Sequence, residues 1–269
     1  MSSFRPLHKS SLNPLVFAEE QLGVGIRLVG QVVIMLYQTV KYMIKLEIDW
    51  RESFRQMYMI GVRSFVVVAI TALFVGFAMS LQISRELVLF GADTAIGGVV
   101  SLALIREIGP ITAGVMVAGR VGSSIAAELT TMMITEQIDA LKVMRIDPVK
   151  FLVVPRYVAG LCMMPVLSVY AMAIGLVAGI YIAHVAANLP PATFLDSVKT
   201  TILDRDFGVH FLKAEINATI VIIISCAIGL NTRGGAEDVG LATTRAIVWT
   251  MTCIFIFNFV VTSITYAPR

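Results

Sequence analysis

Long apolar stretches alternate with short charged segments along most of the 269-residue chain. A helix needs about 20 apolar residues to cross the hydrocarbon core of a bilayer. Five stretches reach or approach that length with few or no charged residues: 64–84, 95–121, 157–187, 216–232 and 246–267. The pattern therefore predicts an all-α polytopic membrane protein with about five transmembrane helices.

Residues 13–50 follow a different pattern, because apolar residues recur there at spacings of three and four between charged and amide side chains. The recurring residues are Leu22, Ile26, Val29, Val33, Leu36 and Val40. This amphipathic pattern predicts a helix lying in the membrane interface, and a helix packed on its own protein is the alternative. The chain then divides into an N-terminal interfacial segment, 1–60, and a transmembrane domain, 61–269.

Composition supports the membrane assignment, since 57% of the residues are hydrophobic and only 14% are charged. Soluble globular proteins carry about 25% charged residues, so an ordinary soluble enzyme or a disordered regulator is excluded. A formal charge of +3 is too small for a nucleic-acid-binding surface. The three cysteines lie in apolar stretches without metal-binding or disulfide spacing, and we expect no metal site.

Basic residues orient the predicted spans, because cytoplasmic loops carry the excess of Lys and Arg. Fifteen of them fall in residues 1–63, 120–156 and 231–245, which lie on one side, and five fall on the other side. We therefore expect the N-terminus to be cytoplasmic and the C-terminus to be extracytoplasmic.

Two helices carry small residues at every fourth position. The first ridge is Gly114, Ala118, Gly122 and Ala126, and the second is Ala171, Gly175, Gly179 and Ala183. Such ridges let helix backbones approach closely in lipid, so both predict tight helix packing. The alternative is that Gly and Ala are common in all membrane helices.

Arg106 and Glu107 interrupt the second predicted span and are followed by Gly109 and Pro110, which predict a kink. A charge at mid-bilayer costs about 2.5–3.5 kcal/mol, so each needs a partner or a wet cavity. We interpret Arg106, Glu107 and Pro110 as lining a substrate cavity. A structural ion pair with another helix, or hydration near the outer interface, are the alternatives.

The segment 135–146 between the second and third spans predicts a short helix, with Thr135 as its cap and Asp147-Pro148 at its end. Its acidic and apolar residues, Glu136, Ile138, Asp139, Leu141 and Met144, predict a surface that docks into a soluble partner. A helix lying on the bilayer is the alternative. The chain carries no G-x-x-x-x-G-K-[ST] phosphate loop and no catalytic motif, so we expect no catalytic residues and no bound cofactor in it.

Several motifs resemble the MlaE permease family, also called the YrbE family. They are LIREIGPITAGVMVAGRVGSSIAAELTTM at residues 104–132, TEQIDAL, DPVKFLVVPR and ATTRAIV at residues 242–248, and the resemblance covers most of residues 60–267. A weaker similarity, to the cytoplasmic loop of ABC importers, rests on the spacing of Glu136 and Pro155.

The resemblance implies the multi-pass membrane subunit of an ABC transporter in a bacterial inner membrane. Such a permease moves lipid, usually phospholipid, works as a homodimer, and binds a separate ATPase that holds ATP and Mg²⁺. It also works with an MCE-domain lipid-binding protein on the far side of the membrane. A secondary transporter or channel, or a scaffold that carries no substrate, are the alternatives from other functional classes.

Overall fold

The chain forms helices and no strands over the residues that the structure describes. The structure is a computed structural model that describes the backbone of residues 14–266 and the side chains of residues 28–266. The longer helices are α1 (Pro14–Ile44), α2 (Trp50–Ile60), α3 (Val62–Leu89), α4 (Ile96–Ala103), α5 (Gly109–Val117), α6 (Ser123–Ile134), α7 (Gln137–Val143), α8 (Val154–Ala187), α9 (Pro191–Thr201), α10 (Asp204–Asn231) and α11 (Ala236–Tyr266). Three π-helical segments, Leu104–Ile108, Ala118–Gly122 and Val149–Val153, join some of them.

Five helical stretches are long and apolar enough to cross a membrane, which confirms the predicted fold class. They are Trp50–Leu89, Asp93–Ile134, Val149–Ala187, Asp204–Asn231 and Ala236–Tyr266. The fifth span was predicted to end at residue 267, which lies outside the described residues. The predicted start of the fourth span at residue 216 was wrong, because α10 begins twelve residues earlier and holds the buried Lys213 within it. Lys213 is therefore not a residue of an outer loop. The excess of Lys and Arg on the N-terminal side of the membrane remains without it.

The second span is one long helix assembled from α4, α5 and α6 with two π-helical segments between them. A π-helical turn holds more residues than an α-helical turn and shifts the hydrogen-bond pattern, and such turns occur mostly at functional sites. The first of them, Leu104–Ile108, contains Arg106 and Glu107 and leads directly into Gly109-Pro110. The second span continues beyond the predicted residue 121 to Ile134.

The N-terminal helix α1 packs one side on the rest of the protein and leaves an apolar side uncovered. Met35 and Thr39 are buried, while Val29, Val33 and Tyr37 are exposed. The helix thus combines both arrangements considered for the sequence pattern, since its free side is suited to lipid and its other side contacts the protein. The side chains of Leu22 and Ile26 lie outside the described residues.

The two predicted small-residue ridges lie at helix contacts, and all eight residues are buried. The first ridge faces α10, where a Cβ added to Gly122 would lie 2.9 Å from Ser225 Oγ. The second ridge faces α3, where a Cβ added to Gly76 would lie 2.6 Å from the carbonyl oxygen of Gly175. The α3 side of this contact is itself a buried stripe at every fourth residue, formed by Ser64, Val68, Ala72, Gly76, Ser80 and Ser84.

We predict that Gly76→Ala destabilises the protein, because the new methyl group would meet the backbone of Gly175, which cannot move aside as a side chain can. Overpacking of this kind costs about 1–3 kcal/mol. The measurement is the thermal unfolding midpoint of the detergent-purified protein. The matched control is Gly208→Ala in α10, where nothing lies within 4 Å of the added methyl group. Equal midpoints for both variants would show that the α3–α8 contact does not depend on Gly76.

Candidate functional site

Two carbonyl groups at the break in the second span lose their helical donors. In an α-helix the N–H of residue i+4 bonds the carbonyl of residue i. The N–H of Gly109 instead bonds the carbonyl of Leu104, which leaves the carbonyl of Ile105 without that donor. Pro110 has no N–H, so the carbonyl of Arg106 also lacks one.

Helix α10 supplies side-chain donors to this break. His210 Nδ1 lies 2.8 Å from the carbonyl oxygen of Ile105, and Lys213 Nζ lies 2.5 Å from that of Arg106. Asn217 Nδ2 donates to the carbonyl oxygen of Pro110 at 3.0 Å. These three side chains stand three and four residues apart, so they share one face of α10. Because a carbonyl can only accept, His210 Nδ1 carries the proton, and its Nε2 lies 3.0 Å from Ser168 Oγ.

Arg106 and Glu107 both form ion pairs with α10. Arg106 Nε lies 2.8 Å from Asp206 Oδ1, and its Nη2 donates to Asp206 Oδ2 at 3.3 Å. Lys213 Nζ lies 2.9 Å from Glu107 Oε1. Asp206 and Lys213 are each 1% exposed, whereas Arg106 is 29% exposed and Glu107 is 36% exposed. The structure thus realises the ion-pair alternative of the sequence analysis while leaving the two residues of the second span partly accessible.

Two residues near the end of α11 complete the arrangement. Thr262 Oγ1 lies 2.7 Å from Lys213 Nζ and 2.6 Å from Glu107 Oε1. Tyr266 donates to Asp206 Oδ1 at 2.7 Å, and the guanidinium of Arg106 lies 4.2 Å from the centre of its ring. We call Arg106, Glu107, Asp206, Lys213, Thr262 and Tyr266 the polar cluster. Its two positive and two negative charges balance, as buried charges in a membrane require.

A shallow groove of about 240 Å³ opens beside the polar cluster. Glu107, Asn258 and Thr262 give it polar groups, and Ile111, Phe255 and Phe259 give it apolar walls. Asn258 is 3% exposed, and its amide atoms have no hydrogen-bond partner among the described residues. The groove therefore places polar groups directly beside apolar walls.

Helix α7 lies at the opposite end of the second span from the break. The helix begins at Gln137. It is flanked by two residues with left-handed backbone, Glu136 before it and Arg145 after it, and each has a φ angle of +59°. The prediction that Thr135 caps this helix was wrong, because Thr135 Oγ1 donates to the carbonyl of Thr131 and the left-handed Glu136 separates it from the helix.

The apolar residues predicted for docking point in different directions. Ile138 is buried, and Leu141 packs partly against the core, so both anchor α7 to the rest of the chain. Met144 is 61% exposed, and its neighbour Val143 is 84% exposed. Asp139 is also exposed, and its hydrogen bond from Lys142 lowers the pKa of its carboxyl group. The predicted docking residues that are free to meet a partner are therefore Met144 and the acidic Glu136 and Asp139, and Val143 is exposed beside them.

The α10 side of the polar cluster was not predicted from the sequence. Asp206, His210, Lys213 and Asn217 recur at spacings of four, three and four, the signature of one helix face. Most of these residues precede the uncharged stretch that begins at residue 216, so the periodicity fell outside the predicted span. Among the described residues no group of three or more His, Cys, Asp or Glu side chains could hold a metal ion.

Comparison with known proteins gives consistent matches. The Permease MlaE family profile matches residues 53–264. The probable ABC transporter permease protein slr1045 of Synechocystis is 40% identical over 240 residues, which cover 89% of each chain. The chloroplastic protein TRIGALACTOSYLDIACYLGLYCEROL 1 of Arabidopsis thaliana is 35% identical over 84% of this chain and 65% of its own. The probable ABC transporter permease protein RT0041 of Rickettsia typhi is 40% identical over 79% of this chain and 82% of its own.

We predict that Lys213→Met destabilises the protein, because it removes the donor to the carbonyl of Arg106 and leaves Glu107 without its counter-ion. The expected loss is about 2–4 kcal/mol, less than for a fully buried pair because Glu107 is partly exposed. Thermal unfolding in detergent measures it. The double variant Lys213→Met/Glu107→Gln should recover part of the loss, since the unpaired charge is then gone.

The control is Lys199→Met, which breaks the exposed pair between Lys199 and Asp196 on α9. Exposed pairs contribute about 0–1 kcal/mol, so this variant should unfold near the wild-type midpoint. An unfolding midpoint for Lys213→Met equal to that of Lys199→Met would refute the structural role given to Lys213.

Proposed function

The chain belongs to the MlaE permease family, and from that premise we propose that it is the membrane subunit of an ATP-driven transporter that moves phospholipid or a related lipid. The observation that carries the lipid proposal is the groove beside the polar cluster. A lipid has a polar headgroup on apolar chains, and the groove sets Glu107 and Thr262 beside Phe255 and Phe259. The name of the chloroplast relative is that of a galactolipid, which also supports a lipid substrate.

A separate ATPase partner follows from the relatives that are named ABC transporter permeases and from the surface around α7. This chain contains no phosphate-binding loop, so ATP and Mg²⁺ would bind to the partner. The exposed Val143 and Met144 form the apolar part of the proposed contact, and Glu136 and Asp139 lie at the other end of α7. Helix α7 is short and is flanked by two residues with left-handed backbone, so we propose that it moves as one rigid body when the ATPase moves.

A second copy of the chain is the proposed partner at the outer side of the groove. The groove lies against α11, whose exposed side carries Phe255, Ile256 and Phe259. Two copies that meet there would enclose lipid between them, and closure of the ATPases would change the shape of that space. Arg106 keeps Nη1 without a hydrogen-bond partner among the described residues, which leaves the two N–H groups of that nitrogen as donors for a lipid phosphate.

The proposed setting is a bacterial inner membrane, with the N-terminus and α7 in the cytoplasm and the C-terminus on the far side. There the permease would exchange lipid with an extracytoplasmic MCE-domain carrier. The basic residues of the N-terminal and α7 segments support this orientation.

The test of this function is purification in mild detergent from the native cell followed by reconstitution in vesicles. We expect a stoichiometric ATPase to copurify, lipid to be bound, and fluorescent phospholipid to be transferred only when ATP is present. Met144→Asp should reduce the retained ATPase, because it places a charge in an apolar contact, whereas Met144→Leu should retain it. A complex that lacks an ATPase and moves solute with an ion gradient would indicate a secondary transporter, and an ATPase-bound complex without lipid transfer would indicate a scaffold.

The orientation makes a separate prediction. In a variant without Cys162, Cys226 and Cys253, a cysteine placed at the exposed Lys142 should react with a membrane-impermeant maleimide only after the cells are opened. A cysteine at the exposed Asp196, in α9, should react in intact spheroplasts. Labelling of position 142 from outside intact spheroplasts would overturn the orientation.

A further inference from the structure

We propose that the end of α1 and the α1–α2 turn belong to the coupling apparatus, through a latch of four residues that holds them to the segment following α7. The latch consists of Tyr42, Glu47, Asp147 and Lys150. The inference rests on the proposed function, because it concerns how ATPase movement at α7 reaches the membrane helices.

Two side-chain contacts form the latch. Tyr42 donates to Asp147 Oδ2 at 2.5 Å, and Lys150 Nζ lies 2.5 Å from Glu47 Oε2. The hydrogen bond from Tyr42 to Asp147 raises the pKa of the tyrosine, and the hydrogen bond from Lys150 lowers the pKa of the Glu47 carboxyl group. Each contact joins residues more than 100 positions apart in the chain, so neither is a consequence of local helix geometry.

Asp147 is held in place from its other side as well. Its Oδ1 accepts from the N–H of Val149 at 2.8 Å, so one carboxylate contacts both the first residue of the π-helical segment Val149–Val153 and the tyrosine. Asp147 stands two residues beyond Arg145, whose left-handed φ of +59° ends the α7 segment. Left-handed backbone at a non-glycine residue is costly and persists only where the surroundings hold it. The backbone hydrogen bonds that end α7, donated by the N–H groups of Arg145 and Ile146, hold it there, and Asp147 follows directly in the chain.

On the other side of the latch, the α1–α2 turn leads directly into membrane helices. Asp49 caps α2 by accepting from the N–H of Glu52 at 3.1 Å. α2 packs against α8 through a face that includes the buried Gln56 and Ile60, and α3 begins immediately after Gly61. A displacement of Asp147 would therefore be transmitted to the turn and then to α3, in addition to the covalent route from α7 through α6.

The latch joins a part of the chain outside the family match to a part inside it. The matched region covers residues 53–264, so Tyr42 and Glu47 lie before it and Asp147 and Lys150 lie within it. Glu47 and Lys150 are 36% and 46% exposed, and ion pairs of that exposure contribute little to stability. Such a pair can open and close during a transport cycle, which favours a role in coupling over a role in holding the fold together.

Charge reversal tests the latch in the purified complex with its ATPase. Glu47→Lys and Lys150→Glu each place like charges together, and the double variant Glu47→Lys/Lys150→Glu restores the attraction. We expect each single variant to retain the ATPase but to lower permease-stimulated ATP hydrolysis and lipid transfer by about threefold or more. The double variant should recover both. Tyr42→Phe, which removes only a hydroxyl group, should lower them in the same direction without affecting folding.

The matched control is the same exchange at the exposed pair Asp196 and Lys199 of α9, which lies within a single helix. It should leave both rates unchanged. Wild-type rates in the single latch variants, or a double variant no better than the single ones, would overturn the latch. Absence of lipid transfer by the wild-type complex would instead defeat the proposed function, and the pattern of ATP hydrolysis among the variants would still decide the latch.

Discussion

One missing hydrogen-bond donor organises the polar interior of this protein. Pro110 has no N–H, and a backbone carbonyl left unsatisfied in lipid costs several kcal/mol. Lys213 supplies a donor to the carbonyl of Arg106 from a neighbouring helix. That lysine brings a positive charge into a membrane span, and Glu107, adjacent to the unsatisfied carbonyl, neutralises it. The broken helix, the buried lysine and the intramembrane carboxylate are therefore parts of one arrangement.

Stability alone does not account for the whole of this arrangement. Replacing buried ion pairs by apolar residues of similar volume is often neutral or stabilising. Neither Arg106 nor Asp206 satisfies a carbonyl of the break with its side chain, yet they bring a second pair of charges into the same region. Tyr266 donates a hydrogen bond to Asp206, and its ring lies against the guanidinium of Arg106. What the charges add is a polar surface beside an apolar groove, where Arg106 and Glu107 stay partly accessible. That surface matters to a ligand with a headgroup and contributes little to a fold without one.

Sequence alone predicted the elements that depend on local rules. The spans could be predicted because the hydrocarbon core of a bilayer tolerates few charges in any fold. The helix contacts could be predicted because small residues at every fourth position lie on one face of a helix. The start of α10 was missed because Lys213 and Asp206 are neutralised by residues about 100 positions away, and no periodicity reveals such a partner. Thr135 looked like a cap because composition does not disclose the left-handed backbone of Glu136. The groove depends on the relative placement of α5 and α11, which the sequence pattern does not specify.

Helix α10 connects the two ends of the molecule on which the proposed function depends. At one end it carries Asp206 and Lys213 of the polar cluster, and near the other end it meets α6 in close contact. A Cβ added to Gly229 would lie 2.7 Å from Leu129 Cβ and 3.2 Å from the carbonyl oxygen of Ala126. Backbones this close cannot slide past each other without separating, so α6 and α10 must move together there. Because α6 leads through Thr135 and Glu136 into α7, a displacement of α7 has a continuous packed route to the charges beside the groove.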